Sequence, residues 1–230
     1  MEKIDNRIKY YLMIDTETAN TFKDGNNLDT SSALVYDIGF AIIDKRGKIY
    51  EKKSMVIPDV FFDMPEIMET AYYKEKVPLY YEAIHKHETE IRTFFKARKI
   101  IHEIMLKYNT NTVVAHNARF DVCVLNSTTR YLSKSLCRYF FPKDTIFYDS
   151  LKMARSVILK MPTYRLFCEN REMLTKNGRL SATAENLFRY ISKIDDFEEK
   201  HTALADVEIE AQIFAYCFKQ HKAMNKLLWE

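Results

Sequence analysis

The 230-residue chain carries 35 Lys and Arg against 32 Asp and Glu, a net charge of +3, and 47% of it is hydrophobic. That length suits one α/β domain spanning 1–230 and burying roughly 70% or more of its unfolded surface, while so small a net charge gives no argument for nucleic-acid binding by itself. No apolar run reaches the ~18 residues that cross a bilayer, so no membrane partner is expected, and Cys123, Cys137, Cys168 and Cys217, without a C-x-x-C, read as reduced thiols of a cytoplasmic protein.

The first element is a bulky apolar run over residues 8–14, which reads as a buried strand. Asp15 and Glu17 follow at its C-terminal end, in the segment Asp15-Thr16-Glu17-Thr18. If the strand continues through them, the two acids share one face, about 6.6 Å apart. The extra methylene of glutamate lets its carboxylate lean toward the same ion, and hard cations such as Mg²⁺ or Mn²⁺ take oxygen ligands. Alone, an Asp-x-Glu is better read as two solvated acids. Gly25-Asn26-Asn27 marks a loop and Asp44-Lys45-Arg46-Gly47 a hairpin turn.

Residues 59–108 form a helix-rich insertion, and Ile91, Phe94, Phe95, Ile101, Ile104 and Met105 mark the buried side of its later part. His85 and His87 lie in a charged stretch and read as solvated. Residues 112–115 are a short strand, ending where His116 and Asn117 begin. Phe120, Val122, Val124 and Leu125 outline a following helix with Asp121 near its start, a position the helix dipole favours for any acid. Polar groups at the carboxyl ends of strands are where α/β sheets gather ligands.

A second insertion is expected around 161–180, with a loop at Asn177-Gly178. Between Lys152 and Lys193 basic residues outnumber acids, so side chains such as Arg165 and Arg171 are candidates to track a phosphate backbone. Tyr164 and Phe167 are read as core rather than base-stacking groups. From about 203 to 220 Leu204, Val207, Ala211, Phe214 and Phe218 recur at helical spacing. Asp206 interrupts that apolar surroundings near the N-terminal end, and His201 precedes the helix on a loop or its first turn. An unperturbed imidazole titrates near ~6.5, which suits a general base.

Each of these segments is weak alone. In this order they supply carboxylates for a pair of divalent ions and one base, the equipment for attack of water on a phosphodiester. Clustered carboxylates also repel, so without cations some should hold protons above their ordinary range.

Asp15, Glu17, Asp121, His201 and Asp206 resemble the signature of the DEDDh branch of the DnaQ-like 3′–5′ exonucleases, a family that includes the proofreading epsilon subunit of bacterial DNA polymerase, RNase T and oligoribonuclease. The histidine five residues before Asp206 is similar to this branch; the sister branch has a tyrosine four residues before its last aspartate. Asp37-Ile38-Gly39-Phe40-Ala41 resembles the family's second strand, and Tyr148 to Arg155 its strand-to-helix passage between motifs. The resemblance implies a ribonuclease-H-like α/β fold, a central mixed sheet flanked by helices. It implies two Mg²⁺ or Mn²⁺ ions on Asp15, Glu17, Asp121 and Asp206, with His201 as base, and release of nucleoside 5′-monophosphates from a single-stranded 3′ end. Thr16, Thr18, His116 and Asn117 are the expected substrate contacts, DNA the expected polymer, and a polymerase a possible partner. The alternatives are an exoribonuclease, or a binding module that has lost catalysis. Rich in Lys, Asn, Ile and Tyr, with 4 glycines, the composition fits an AT-rich genome, a bacteriophage's among them, and so a host cytoplasm.

Overall fold

A computed structural model of the chain describes residues 4–20, 22–23, 27–133, 136 and 138–229; of 22–23 and 27–28 only the backbone is considered. Cys137 and the Gly25-Asn26 part of the expected loop lie outside the described residues.

Strand β1 (Tyr10–Ala19) is followed by a short pair, β2 (Phe22–Lys23) and β3 (Asn27–Leu28), and then by β4 (Leu34–Asp44) and β5 (Ile49–Val56). Three helices, α1 (Pro58–Phe61), α2 (Pro65–Met68) and α3 (Val77–His85), precede β6 (Glu90–Ile91) and α4 (Phe94–Lys107). The remainder alternates: β7 (Thr112–Ala115), α5 (Ala118–Leu132), β8 (Ile146–Asp149), α6 (Ser150–Val157), α7 (Pro162–Glu169), α8 (Ala184–Ser192) and α9 (Ala203–Lys219). The main sheet runs β6-β5-β4-β1-β7-β8, antiparallel at β1/β4 and β4/β5 and parallel elsewhere. This is the mixed, helix-flanked sheet of the ribonuclease-H-like fold.

Why β1 is apolar throughout follows from its place. Leu12 and Ile14 pack into a core with Phe94 and Ile101 of α4 and Val124 of α5; Tyr11 and Met13 pack on the other face against α6 and α9. With both faces covered, a strand shows no polar alternation. Among the expected buried residues of the 59–108 insertion, Phe94, Ile101, Ile104 and Met105 are buried, but Ile91 and Phe95 are 40% and 39% exposed. Ile91 sits on the two-residue edge strand, and Phe95 is one step round the helix from Phe94, which takes the inward position. The hairpin turn is as read: Gly47, at φ +77°, donates its N–H to the Asp44 carbonyl at 3.0 Å. Tyr164 and Phe167 are core, and His85 and His87 are exposed. No helix among the described residues is long and apolar enough to cross a membrane.

Helices α1 to α3 build a third apolar cluster over the C-terminal end of β1, where Val60, Phe61, Met68 and Tyr80 meet Ala19, Leu34 and Tyr36. This cap closes one side of the sheet edge where the acidic strand residues lie.

One glycine determines how close α9 approaches. Gly39 pairs with Asp15 across β1/β4, and a Cβ there would stand 2.2 Å from the backbone of Ala203 and Leu204. Gly39→Ala must push the start of α9 away from β4, at a cost of about 1–3 kcal/mol. A fall in the urea unfolding midpoint checks the packing, and a weaker response to added Mg²⁺ checks the displacement of Asp206.

Candidate active site

The register of β1 sorts the acids. Asp15 and Glu17 share the face of Tyr11 and Met13, toward α9, whereas Thr16 points to α5. Strand β1 continues through these residues to Ala19, with an irregularity in pairing at Glu17/Thr18. From α9, Asp206 and Glu210 face the same space, one helical turn apart. Ligand oxygens of Asp15, Glu17 and Asp206 come within 4.8 Å of one another, and Glu199, His201 and Asp206 form a second such group. Both open on a cavity of about 410 Å³ that Tyr72, Tyr73 and Asn117 also line.

Asp121 stands behind the pocket. In the first turn of α5 and buried, it accepts a 2.9 Å hydrogen bond from the Thr16 hydroxyl. Thr16 is thereby spent on orienting an acid. His116 is likewise engaged at both ring nitrogens, with Nδ1 3.0 Å from the Ser150 hydroxyl and Nε2 3.0 Å from the Ala182 carbonyl. It ties β7 to α6 and to the segment before α8, so its ring is a positioning group. Thr18 is buried at the cavity wall; Asn117 is exposed, with left-handed φ +71°, and donates its backbone N–H to Asp149 at 3.2 Å.

His201 sits on the loop before α9 at φ +52°. Its ring stacks on Tyr73 from the cap, centroids 4.2 Å apart and planes at 11°, and Nδ1 lies 3.7 Å from Glu199 Oε2. Burial, with Lys76 nearby, holds its pKa below the ordinary value, so the ring is neutral at neutral pH.

The carboxylates shift the other way. Burial first, then the charge of Glu210, raises Asp15 well above its ordinary range; burial and Asp206 do the same for Glu17. Burial raises Asp121 to about 7 against the pull of the Thr16 hydroxyl, and burial with Glu199 raises Asp206 to about 8. Glu210 is pushed well up by burial, and Glu199 to about 7 by burial and Glu185. Asp206 Oδ1 and Glu210 Oε2 are buried without a hydrogen-bond partner among the described residues. Orphaned oxygens on acids that line one cavity, beside the close group of Asp15, Glu17 and Asp206, are the donor set a hard divalent ion takes, so the residues fit Mg²⁺ or Mn²⁺.

Glu199, Glu210, Asp37 and Tyr73 were not among the residues expected from sequence. Glu210 had a signal: an acid four residues after Asp206 on the apolar face of its helix. Asp37 is fully buried in β4, accepting from Tyr80 Oη at 3.0 Å and from the Ala203 N–H at 3.1 Å.

Neither family models nor curated protein sequences match this chain. Solved structures do. A 3′-exonuclease that recognises the 3′ end of a histone mRNA stem-loop superposes with TM-score 0.59 at 12% identity, covering 96% of this chain and 87% of that one. The nuclease domain of 3′hExo, a DEDDh family member bound to rAMP, gives 0.56 at 12%, covering 97% of this chain and all of that one (100%). Zinc-bound E. coli exonuclease I in complex with single-stranded DNA gives 0.51 at 14%, covering 94% of this chain and 41% of that one. The fold is that of the DEDDh 3′-exonucleases. On this fold Asp15, Glu17 and Asp206 meet at one end of the central strand.

The raised carboxyl pKa values set the sign of a stability trend. The folded, metal-free protein holds protons that the unfolded chain has already released, so that stabilisation is present below about pH 4 and is lost as pH climbs toward about 8, the value of Asp206. Thermal unfolding in EDTA should therefore show the melting temperature falling over this window, and Mg²⁺ should restore it most at the alkaline end. Asp206→Asn should raise the metal-free melting temperature there and reduce the gain from Mg²⁺.

Proposed function

We propose that the protein is a metal-dependent 3′–5′ exonuclease that releases nucleoside 5′-monophosphates from single-stranded nucleic acid, with DNA as the first substrate. The observation that carries this reading is the meeting of Asp15, Glu17 and Asp206 within 4.8 Å beside His201. Asp15, Glu17 and Asp206, backed by Asp121, would hold two ions, which supply charge neutralisation, an activated water and support for the departing oxygen.

The chain's own groups do the rest. His201 accepts the water's proton at Nε2, while Nδ1 faces Glu199, whose charge stabilises the imidazolium that results. Tyr73 holds the ring by stacking and excludes water from one side. Thr16 aims Asp121, and Thr16, Thr18 and Asn117 line the cavity where the terminal nucleotide would sit. A binding module without catalysis is disfavoured, since every acid of the signature is present and three of them bring ligand oxygens within 4.8 Å of one another.

RNA is the second reading. It is favoured by two nearly full-length structural matches, one that recognises the 3′ end of a histone mRNA stem-loop and one bound to rAMP. Association with a polymerase is carried by the sequence resemblance alone.

End-labelled DNA and RNA strands of one sequence, incubated with Mg²⁺ or Mn²⁺, separate these readings. The expected product is a ladder shortening from the 3′ end, absent in EDTA and absent in Asp15→Asn. Undiminished hydrolysis in excess EDTA would rule out the metal-dependent reading.

His201→Ala should lower the rate by ~10²–10⁴-fold with the Mg²⁺-induced rise in melting temperature preserved. Because only the neutral ring accepts a proton, wild-type activity should rise with pH through a value below the ordinary 6.5. The variant should lose that limb; a variant with wild-type turnover and profile removes His201 from the chemistry.

A further inference from the structure

His116 lines two cavities. One is the acidic pocket; the other is a cleft of about 1120 Å³ between α6, α7 and the segment leading to α8. The two are also contiguous along the chain, since Thr183 lines the cleft and Ala184 the acidic pocket. Arg155 on α6, Arg165 on α7 and Arg179 in the following turn project into the cleft walls.

Most other cations of this basic stretch are occupied. Arg171, a candidate from sequence, pairs with Asp195 at 2.7 Å and lies over the Phe167 ring. Arg189 reaches Glu185 and the Phe197 carbonyl, Lys193 lies over Tyr190, and Lys152 donates to the carbonyls of Leu227 and Leu228. Arg155, Arg165 and Arg179 are exposed, and among the described residues none makes an ion pair or donates a side-chain hydrogen bond. Glu169, on the same wall, is not paired with any of them. Three unpaired guanidiniums against one carboxylate leave the cleft with an excess of positive charge, which a polyanion relieves. Their planar forks match phosphate oxygens in pairs.

We propose that this cleft holds the sugar–phosphate backbone of the single strand whose 3′ end lies in the acidic pocket, with Arg155, Arg165 and Arg179 each taking a phosphate. The proposal rests on the exonuclease reading. Charge alone would admit a small anion or an acidic peptide; continuity with the pocket through His116 and the Thr183–Ala184 step favours the strand. The cleft's other walls carry Leu151, Leu159, Leu174 and Leu180 beside small polar groups such as Thr175 and Ser181, and its one imidazole, His116, has both ring nitrogens engaged. With no Phe, Tyr or Trp among the residues that line it, the cleft grips through its guanidiniums, on the backbone.

The test compares wild type with the triple variant Arg155→Ala, Arg165→Ala, Arg179→Ala in two assays. The first is binding of a fluorescent strand of about a dozen nucleotides, protected by 3′-terminal phosphorothioates, over a range of KCl. At a slope of about −0.7 per single-strand phosphate, losing three contacts should make the log–log salt slope shallower by about 2. The triple Arg→Lys variant should keep the slope, which separates lost charge from lost fold. The second assay is hydrolysis of a dinucleotide, too short to reach the cleft, which the triple Ala variant should carry out at the wild-type rate. An unchanged slope overturns the proposal and returns the cleft to a small anion or peptide. A wild-type protein that leaves an unprotected strand of the same length intact in Mg²⁺ overturns the exonuclease reading instead, and the slope judges the cleft independently.

Discussion

Repulsion among buried carboxylates is the constraint on which the rest of this molecule depends. Asp15, Glu17, Asp206 and Glu210 face one cavity and Asp121 stands immediately behind it, each with its pKa raised by burial. Such a group does not assemble spontaneously; apolar packing must force it. That force comes from β1 and α9, whose apolar residues fill one core on either side of the acids. Gly39 admits the start of α9 to backbone contact with β4, directly across from Asp15. Stability is thus invested in Tyr11, Met13, Val207 and Phe214 and released as strain at the acids, where cations would relieve it.

The polar residues around the cluster divide by what they hold. Thr16 holds Asp121, Asp149 caps α6 and holds the backbone at Asn117, and His116 joins β7 to the segment ahead of α8. These contacts lock the geometry from the sheet side. On the open side, Tyr73 and Glu199 surround His201. His201 is therefore held by the cap and the loop, while Asp15 and Glu17 are held by the sheet.

Much of this was legible in the sequence because it is local. A strand covered on both faces announces itself as an unbroken apolar run, and acids at its end stand out. Residues 112–115 were bounded by turn residues and a helix pattern, and β7 has those limits. The ribonuclease-H-like architecture was implied by the resemblance of the acid segments to a family, and the order of the expected strands and helices agreed with it. What escaped was non-local. Asp37 looks like any acid in a strand until Tyr80 and Ala203 are placed beside it. Glu199 and Tyr73 lie in unpatterned segments and acquire meaning only from His201. Glu210 was hidden by the apolar residues on both sides of it. Arg165 and Arg171 could not be told apart by composition, since only the fold shows that Asp195 takes one and leaves the other.

The Asp37 carboxylate ties two parts of the molecule that are far apart in sequence. One oxygen accepts from Tyr80 on the cap and from the Ala203 N–H, two residues beyond His201. A single buried anchor thus fastens both the cap and the start of α9 that follows His201. Displacing Tyr80 therefore also loosens the segment that carries His201, so the two sides of the pocket do not move independently.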